Sequence, residues 1–174
     1  MQVETYLLAE HDWVPNNARL PVIAYRHAMT PADCEEIASA FERAFAQHGW
    51  PAQWRNGIYD YHHYHSTAHE ILGIASGAAR LMIGGPGGRE LEVSAGDALL
   101  LPTGTGHCSV QASDDFLVVG GYPDGQKWDI RREAPDAEAR QRMASLPFPK
   151  SDPVAGVDGP IADHWRKCSA GPPP

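Results

Sequence analysis

At 174 residues, with 43% hydrophobic and 21% charged side chains, the chain is long enough to enclose a proper core and has the composition of an ordinary globular protein. Its formal net charge of -8, with neither a basic tract nor an aromatic-basic stripe, excludes the electrostatic footprint of a nucleic-acid binder. No apolar run approaches the roughly 20 residues of a membrane span, and the N-terminus lacks the basic-then-apolar layout of a signal peptide, so a cytoplasmic protein without membrane contact is expected.

Residues 1–28 hold two short apolar stretches, 3–9 and 20–25, separated by Pro15, Asn16 and Asn17. They predict edge strands joined by a turn, pairing either within the chain or across a dimer. A helix follows, with Thr30 as cap, Pro31 and Asp33 in its first turn, and Gly49 as its stop. Ile37, Phe41 and Phe45, spaced by four, predict its buried stripe and hence a helix packed outside a β-structure.

From 58 to 122 the period shortens to that of strands. Ala79, Leu81 and Ile83 alternate before the Gly84-Gly85-Pro86-Gly87-Gly88 turn, Leu91 and Val93 return, 98–101 follows the Gly96 corner, and 116–121 makes the last strand. The glycine-rich turn lacks the lysine and the strand-to-helix setting of a phosphate loop, so it reads as a hairpin connection. Pro135-Asp136-Ala137-Glu138 starts a short helix that ends before Leu146-Pro147. Beyond it, Pro147, Pro149, Pro153, Gly156, Gly159 and Pro160 forbid regular structure and predict an extended arm anchored by Trp165, packed on the outer wall in preference to the mouth. The chain thus divides into N-terminal strands and helix (1–50), a central β-region (57–122) and a C-terminal extension (123–174), within a single domain spanning 1–174.

Chemistry concentrates in the central region. His63 and His65 are two apart, so strand alternation points both rings to one face about 7 Å apart along the chain. Glu70 adds a carboxylate, and His107 closes the set from a separate strand. A lone histidine is ordinarily a hydrogen-bonded core or surface residue; four donors in two spaced segments point instead to a metal site. Three imidazoles and one carboxylate suit one divalent transition ion, Fe, Mn, Ni, Cu or Zn. His62 and Tyr64 should face away from this site. His69, beside Glu70, is an alternative ligand or a support, although alternation argues against two adjacent residues serving one ion. Cys34, Cys108 and Cys168, odd in number and scattered, do not read as a disulfide framework; Cys108 should turn away from His107 as a buried thiol.

The spacing carries a resemblance. Gly57, five residues, His63, one, His65, four, Glu70, six and Gly77 is similar to the first motif of the cupin superfamily. Gly96, five residues, Pro102, one, Gly104, two and His107 is similar to the second, with Gln111 where that pattern has Asn. The resemblance implies a mainly β fold, a jelly-roll barrel (double-stranded β-helix) with one N-terminal helix and the extended C-terminal arm. It also implies His63, His65, Glu70 and His107 as ligands, and a twofold homodimer built through edge strands. Within the superfamily the chain looks like single-domain bacterial cupins without an assigned activity.

Four protein ligands on an ion that prefers six leave two positions for a substrate or for substrate and oxygen. One carboxylate leaves a dication with a residual charge of about +1, which favours an anionic ligand. The expectation is a metal-dependent enzyme, dioxygenase-like or Lewis-acidic, acting on a small polar or anionic metabolite. Tyr61, sharing strand parity with His63 as Tyr59 does, is the candidate catalytic phenol. The alternatives are a non-enzymatic protein that binds or senses a metal or small ligand, and a structural dimer with an incidental ion.

Overall fold

A computed structural model describes residues 1–30 and 34–166. Among them the chain forms, in order, β1 (Gln2–Tyr6), β2 (Val22–Arg26), α1 (Cys34–Gln47), β3 (Ala52–Asn56), β4 (Glu70–Ser76), β5 (Ala78–Ile83), β6 (Arg89–Ser94), β7 (Ala98–Leu101), β8 (His107–Ala112), β9 (Leu117–Gly121), α2 (Ala137–Ala144) and a helical turn over Ala162–Arg166. The strands make two antiparallel sheets, one of six in the order β1-β2-β7-β4-β9-β3 and one of three in the order β6-β5-β8. This is the mainly β architecture the sequence predicts. No helix among the described residues is long and apolar enough to cross a membrane.

Period-two alternation sorts each central strand between two cores. Leu72 and Ile74 of β4, Leu99 and Leu101 of β7, and Val22 and Ala24 of β2 face the three-stranded sheet, where they meet Leu81, Ile83, Leu91 and Val93. Their neighbours Ile71, Ala75, Ala98, Leu100, Ile23 and Tyr25 face outward, onto α1 and the C-terminal extension. All seven residues of β4 and all four of β7 are therefore buried, which explains why 71–75 and 98–101 carry no polar side chain.

The helix lies where its stripe requires, with Ile37, Phe41 and Phe45 buried against β4. It docks closely because Gly73 has no side chain: a Cβ there would come within 2.6 Å of the Phe41 ring. Its end is a Schellman turn, in which Gly49 at φ +77° lets its own N–H reach Ala46 and that of Trp50 reach Phe45. Pro31 and Asp33 of the expected first turn lie outside the described residues. Asp136 caps α2, accepting from the Ala139 N–H at 2.7 Å.

Two elements depart from the sequence reading. The segment 57–69 is extended but joins no ladder, touching its neighbours through isolated bridges of His63 with His107 and Tyr64 with Arg131. Strand β3, unforeseen, is a mostly polar edge strand beside β9. The N-terminal stretches pair inside the chain, β1 with β2 and β2 with β7, leaving the outer edge of β1 without a strand partner among the described residues.

The extension packs on the outer wall, as favoured, and Trp165 anchors it. Its buried indole donates to the Pro21 carbonyl at 2.8 Å and lies over His69, with ring centroids 4.8 Å apart. Asp152, fully buried, ties the arm together: it accepts from Tyr25 Oη at 2.6 Å and from the N–H groups of Val154, Ala155 and Ile161 at 2.9 to 3.0 Å. Asp152→Ala strands those donors in an apolar surrounding and should cost about 3 kcal/mol in urea unfolding, whereas Tyr25→Phe, which leaves three of the four bonds, should cost about 1 kcal/mol. Equal losses would show that the carboxylate is not the hub.

Candidate metal centre

The backbone brings the donors together before any side chain is considered. His63 donates its N–H to the His107 carbonyl at 3.2 Å, and His107 returns one to His63 at 2.9 Å. This pairs the two residues across the start of β8 and sets their rings 4.2 Å apart, centroid to centroid. The His65 carbonyl is taken by the Gly104 N–H at 2.9 Å and the Thr103 hydroxyl at 3.0 Å. Glu70 opens β4 opposite Leu101 of β7.

The three rings share one tautomer. His63 Nδ1 lies 3.1 Å from the Tyr61 carbonyl, His107 Nδ1 lies 3.1 Å from the Thr105 carbonyl, and His65 Nδ1 bonds the Asp129 carbonyl. A carbonyl only accepts, so each Nδ1 carries a hydrogen, which leaves each Nε2 as the atom that takes up a proton or a metal. Donor atoms of His63, His65 and His107 all lie within 4.8 Å of one another, and all three residues are buried. Glu70 closes the group, with Oε1 3.2 Å from His65 Nε2 and Oε2 3.3 Å from His107 Nε2.

The donor set fits a cation. Among the described residues His65 Nε2 and Glu70 Oε2 are buried without a hydrogen-bond partner, so two polar atoms share a space that a cation would satisfy. The electrostatics agree. Burial, with the neighbouring His107 and His65 rings, pushes His63 down to about 3 and keeps it neutral. Burial also works against a charged His65, but the Glu70 carboxylate outweighs it and holds this ring above its usual value. Burial would raise Glu70, yet the facing His65 and His107 rings hold it well below the carboxylate range. The site is an anion facing imidazole nitrogens, the pattern a divalent ion completes.

Other expected residues fall outside the cluster. His69 is buried, accepts the Thr103 N–H at Nδ1 at 3.0 Å and lies under Trp165, so it supports the wall. Burial pushes it down to about 3. His62 turns away, its Nε2 3.6 Å from the buried Cys108 thiol. Tyr64 also turns away but is fully buried, donating to the Glu133 carbonyl at 2.8 Å. Tyr61 stacks on Tyr59 with centroids 4.7 Å apart and carries the Arg132 guanidinium 4.1 Å above its ring. It is absent from the cavity wall, and what it gives the cluster is its backbone carbonyl.

The phenol that does reach the cluster is Tyr122. It donates to Glu70 Oε1 at 2.7 Å and accepts from Trp54 Nε1 at 2.9 Å. The Trp54 ring fits because Gly120 has no side chain, since a Cβ there would overlap the indole. Tyr122 was legible in principle: it continues the inward parity of Val118 in β9. Asp129 had no such signal. Its carboxylate accepts from Ser66 N and Oγ, both at 2.6 Å, and from Thr67 Oγ1 at 3.1 Å, placing its carbonyl on His65.

A cavity of about 170 Å³ opens over the four donors. Trp54, Ile58, Leu72, Tyr122, Trp128 and Ile130 form most of its wall, and Tyr59 stands at the rim. Tyr122, Trp128 and Ile130 line the cavity from the segment 122–131, and among the described residues none beyond 146 does.

The model of the cupin domain matches residues 55–119, the stretch that holds all four donors. The uncharacterized protein YjlB of Bacillus subtilis (strain 168) is 31% identical over 168 residues, covering 95% of this chain and 98% of its own. The chain belongs to the cupin family. Among solved structures, acireductone dioxygenase from Bacillus anthracis, with a cadmium ion in its active center, is 19% identical at a TM-score of 0.42, over 62% of this chain and 73% of that one. Procruciferin, an 11S globulin from Brassica napus, is 14% identical at a TM-score of 0.36, over 74% of this cupin and 26% of the globulin.

Metal binding should be lost on His65→Ala or His107→Ala and kept on His62→Ala, as read by elemental analysis of purified protein. Protons compete for the ligating nitrogens, and His65, raised above about 6.5, is the ring they reach before His63. Affinity should therefore fall as pH drops through the His65 range, with fewer protons taken up per released ion, by calorimetry in two buffers near pH 6, than three unperturbed imidazoles would take.

Proposed function

We propose that this cupin is a metal-dependent enzyme, with His63, His65, Glu70 and His107 holding one divalent transition ion beneath an apolar-walled cavity. The observation that carries this reading is the convergence of three buried imidazole nitrogens on the Glu70 carboxylate, whose Oε2 has no hydrogen-bond partner among the described residues, at the floor of that cavity. A bound ion would supply Lewis acidity and, if it were Fe(II), electron transfer to oxygen, so oxidoreductase chemistry of the dioxygenase kind is the favoured reaction class.

The chain's own residues do the rest. The carbonyls of Tyr61, Thr105 and Asp129 lock the rings and their tautomers. Trp54 donates to the Tyr122 oxygen, and Tyr122 directs its proton to Glu70, which fixes the carboxylate's orientation. Burial and the Glu70 charge push the Tyr122 phenol well above its usual value, so it keeps its proton. The apolar wall lowers the dielectric around these groups, which strengthens each of these interactions.

A metal or small-ligand binding protein without turnover is the second reading. It is favoured by the cavity wall, where Glu70 is the sole carboxylate among the described lining residues and Lys and Arg are missing, so proton transfer would fall to tyrosine alone.

Turnover and occupancy separate the two readings. In an enzyme, Tyr122→Phe and Glu70→Gln should each retain metal and lose roughly 10 to 100-fold in turnover on a substrate found by oxygen-uptake screening. Full turnover in both, or in metal-stripped protein, would remove the catalytic reading. We also propose a homodimer through the free edge of β1, for which light scattering at micromolar concentration should give twice the chain mass.

A further inference from the structure

The metal reading leaves the ligand's chemistry open, and the cavity narrows it. Its wall offers three aromatic rings, from Trp54, Tyr122 and Trp128, and three aliphatic side chains, from Ile58, Leu72 and Ile130. Tyr59, Trp128 and Ile130 continue this surface to the outside, 48%, 39% and 36% exposed. They are three of the eight large hydrophobic residues exposed among the described residues, and all three line this one opening. Apolar groups gathered at one mouth mark a place that apolar matter enters.

Charge points the same way. Lys127 and Arg131 lie on the segment that carries Trp128 and Ile130, and Arg132 follows it, but none of the three lines the cavity; Arg131 lies 3.8 Å from the Asp136 carboxylate and Arg132 is held over the Tyr61 ring. An anionic group away from the floor would be buried without a cation, since the polar wall residues beyond the floor, Asn56 and the tyrosines, are neutral. Size sets the last limit, because a dry apolar cavity of about 150 Å³ holds one benzene-sized ring, and this one measures about 170 Å³.

Building on the metal reading, we propose that the ligand is a small molecule with an apolar, single-ring-sized body, presenting oxygen donors to the metal and carrying no charge at its far end. The charge expected of the substrate is thereby confined to the atoms that meet the ion. The polar or anionic metabolite that ligand count alone suggests becomes a hydrophobic chelator.

The test keeps the donor atoms and varies the body. Zinc-loaded protein is titrated calorimetrically with acetohydroxamate, benzohydroxamate and benzohydroxamate bearing a para carboxylate. Burial of the ring should make benzohydroxamate tighter than acetohydroxamate by roughly tenfold or more, and the added carboxylate should cancel that gain. Trp128→Ala should bring the first ratio toward one. Equal affinities for the first two, or tightest binding of the carboxylate, would overturn the proposal. A metal-free arm tests the cavity alone: toluene should shift the indole N–H resonances of Trp54 and Trp128 in nitrogen-15 spectra. Protein that takes up no zinc but shows these shifts retains the apolar cavity and loses the metal reading; indoles that ignore toluene overturn the cavity proposal whatever the zinc result.

Discussion

Two backbone hydrogen bonds, the reciprocal pair between His63 and His107, are the constraint on which the site rests. The segment 57–69 lacks the ladder that stabilises a strand, so its backbone is ordered against entropy by a few contacts. Several of those contacts fall at the donors. His63 is tied to His107 and the His65 carbonyl to Gly104 and Thr103, while Tyr59 is tied to Ser109 and Tyr64 to Arg131. The bonds at His63 and His65 thus order the segment and aim two imidazoles at once.

The rigidity needed to hold four donors together comes from the six-stranded sheet. Because β4 and β7 are covered on one face by the three-stranded sheet and on the other by α1 and the arm, Glu70 begins a strand that cannot shift without disturbing two cores. Such a strand tolerates an expensive group at its end. Glu70 is 2% exposed, and its charge is sustained by Tyr122 and by the His65 and His107 rings rather than by water.

Where local chemistry decides, the sequence was legible. The Phe41 and Phe45 stripe, Gly49, the Asp136 cap, the hairpin around Gly84–Gly88 and the anchoring role of Trp165 all follow from periodicity, turn residues and side-chain size. The donors were legible through their spacing, which matches the cupin motifs. Tertiary contacts hid the rest. Strand alternation, applied to 57–69, assumed a ladder that is not there, and it put Tyr61 in the cavity on parity alone. The phenol at the floor comes instead from Tyr122, whose place depends on Gly120 making room for Trp54 on a neighbouring strand. No pattern within β9 states what β3 brings to it. Asp129 acts through a backbone carbonyl, an atom every residue has, and so leaves no mark on composition or motif.

Asp129 also joins the cavity's mouth to its floor. Its neighbours Trp128 and Ile130 supply the apolar border, while its own carbonyl holds His65 and its carboxylate grips Ser66 and Thr67. The Trp128 ring stacks on Tyr122 at 5.8 Å and lies 6.0 Å from His65, touching both the proton donor to Glu70 and one of the imidazoles. A segment that moved aside to admit a ligand would release the His65 Nδ1 hydrogen and with it the ring's fixed tautomer. Entry by motion of 122–131 would therefore loosen the donor set just when a ligand needs it intact. The exposed rings of Tyr59 and Trp128 border the opening, so a rearrangement confined to these rim side chains would leave the clamp at Asp129 closed and the donors still.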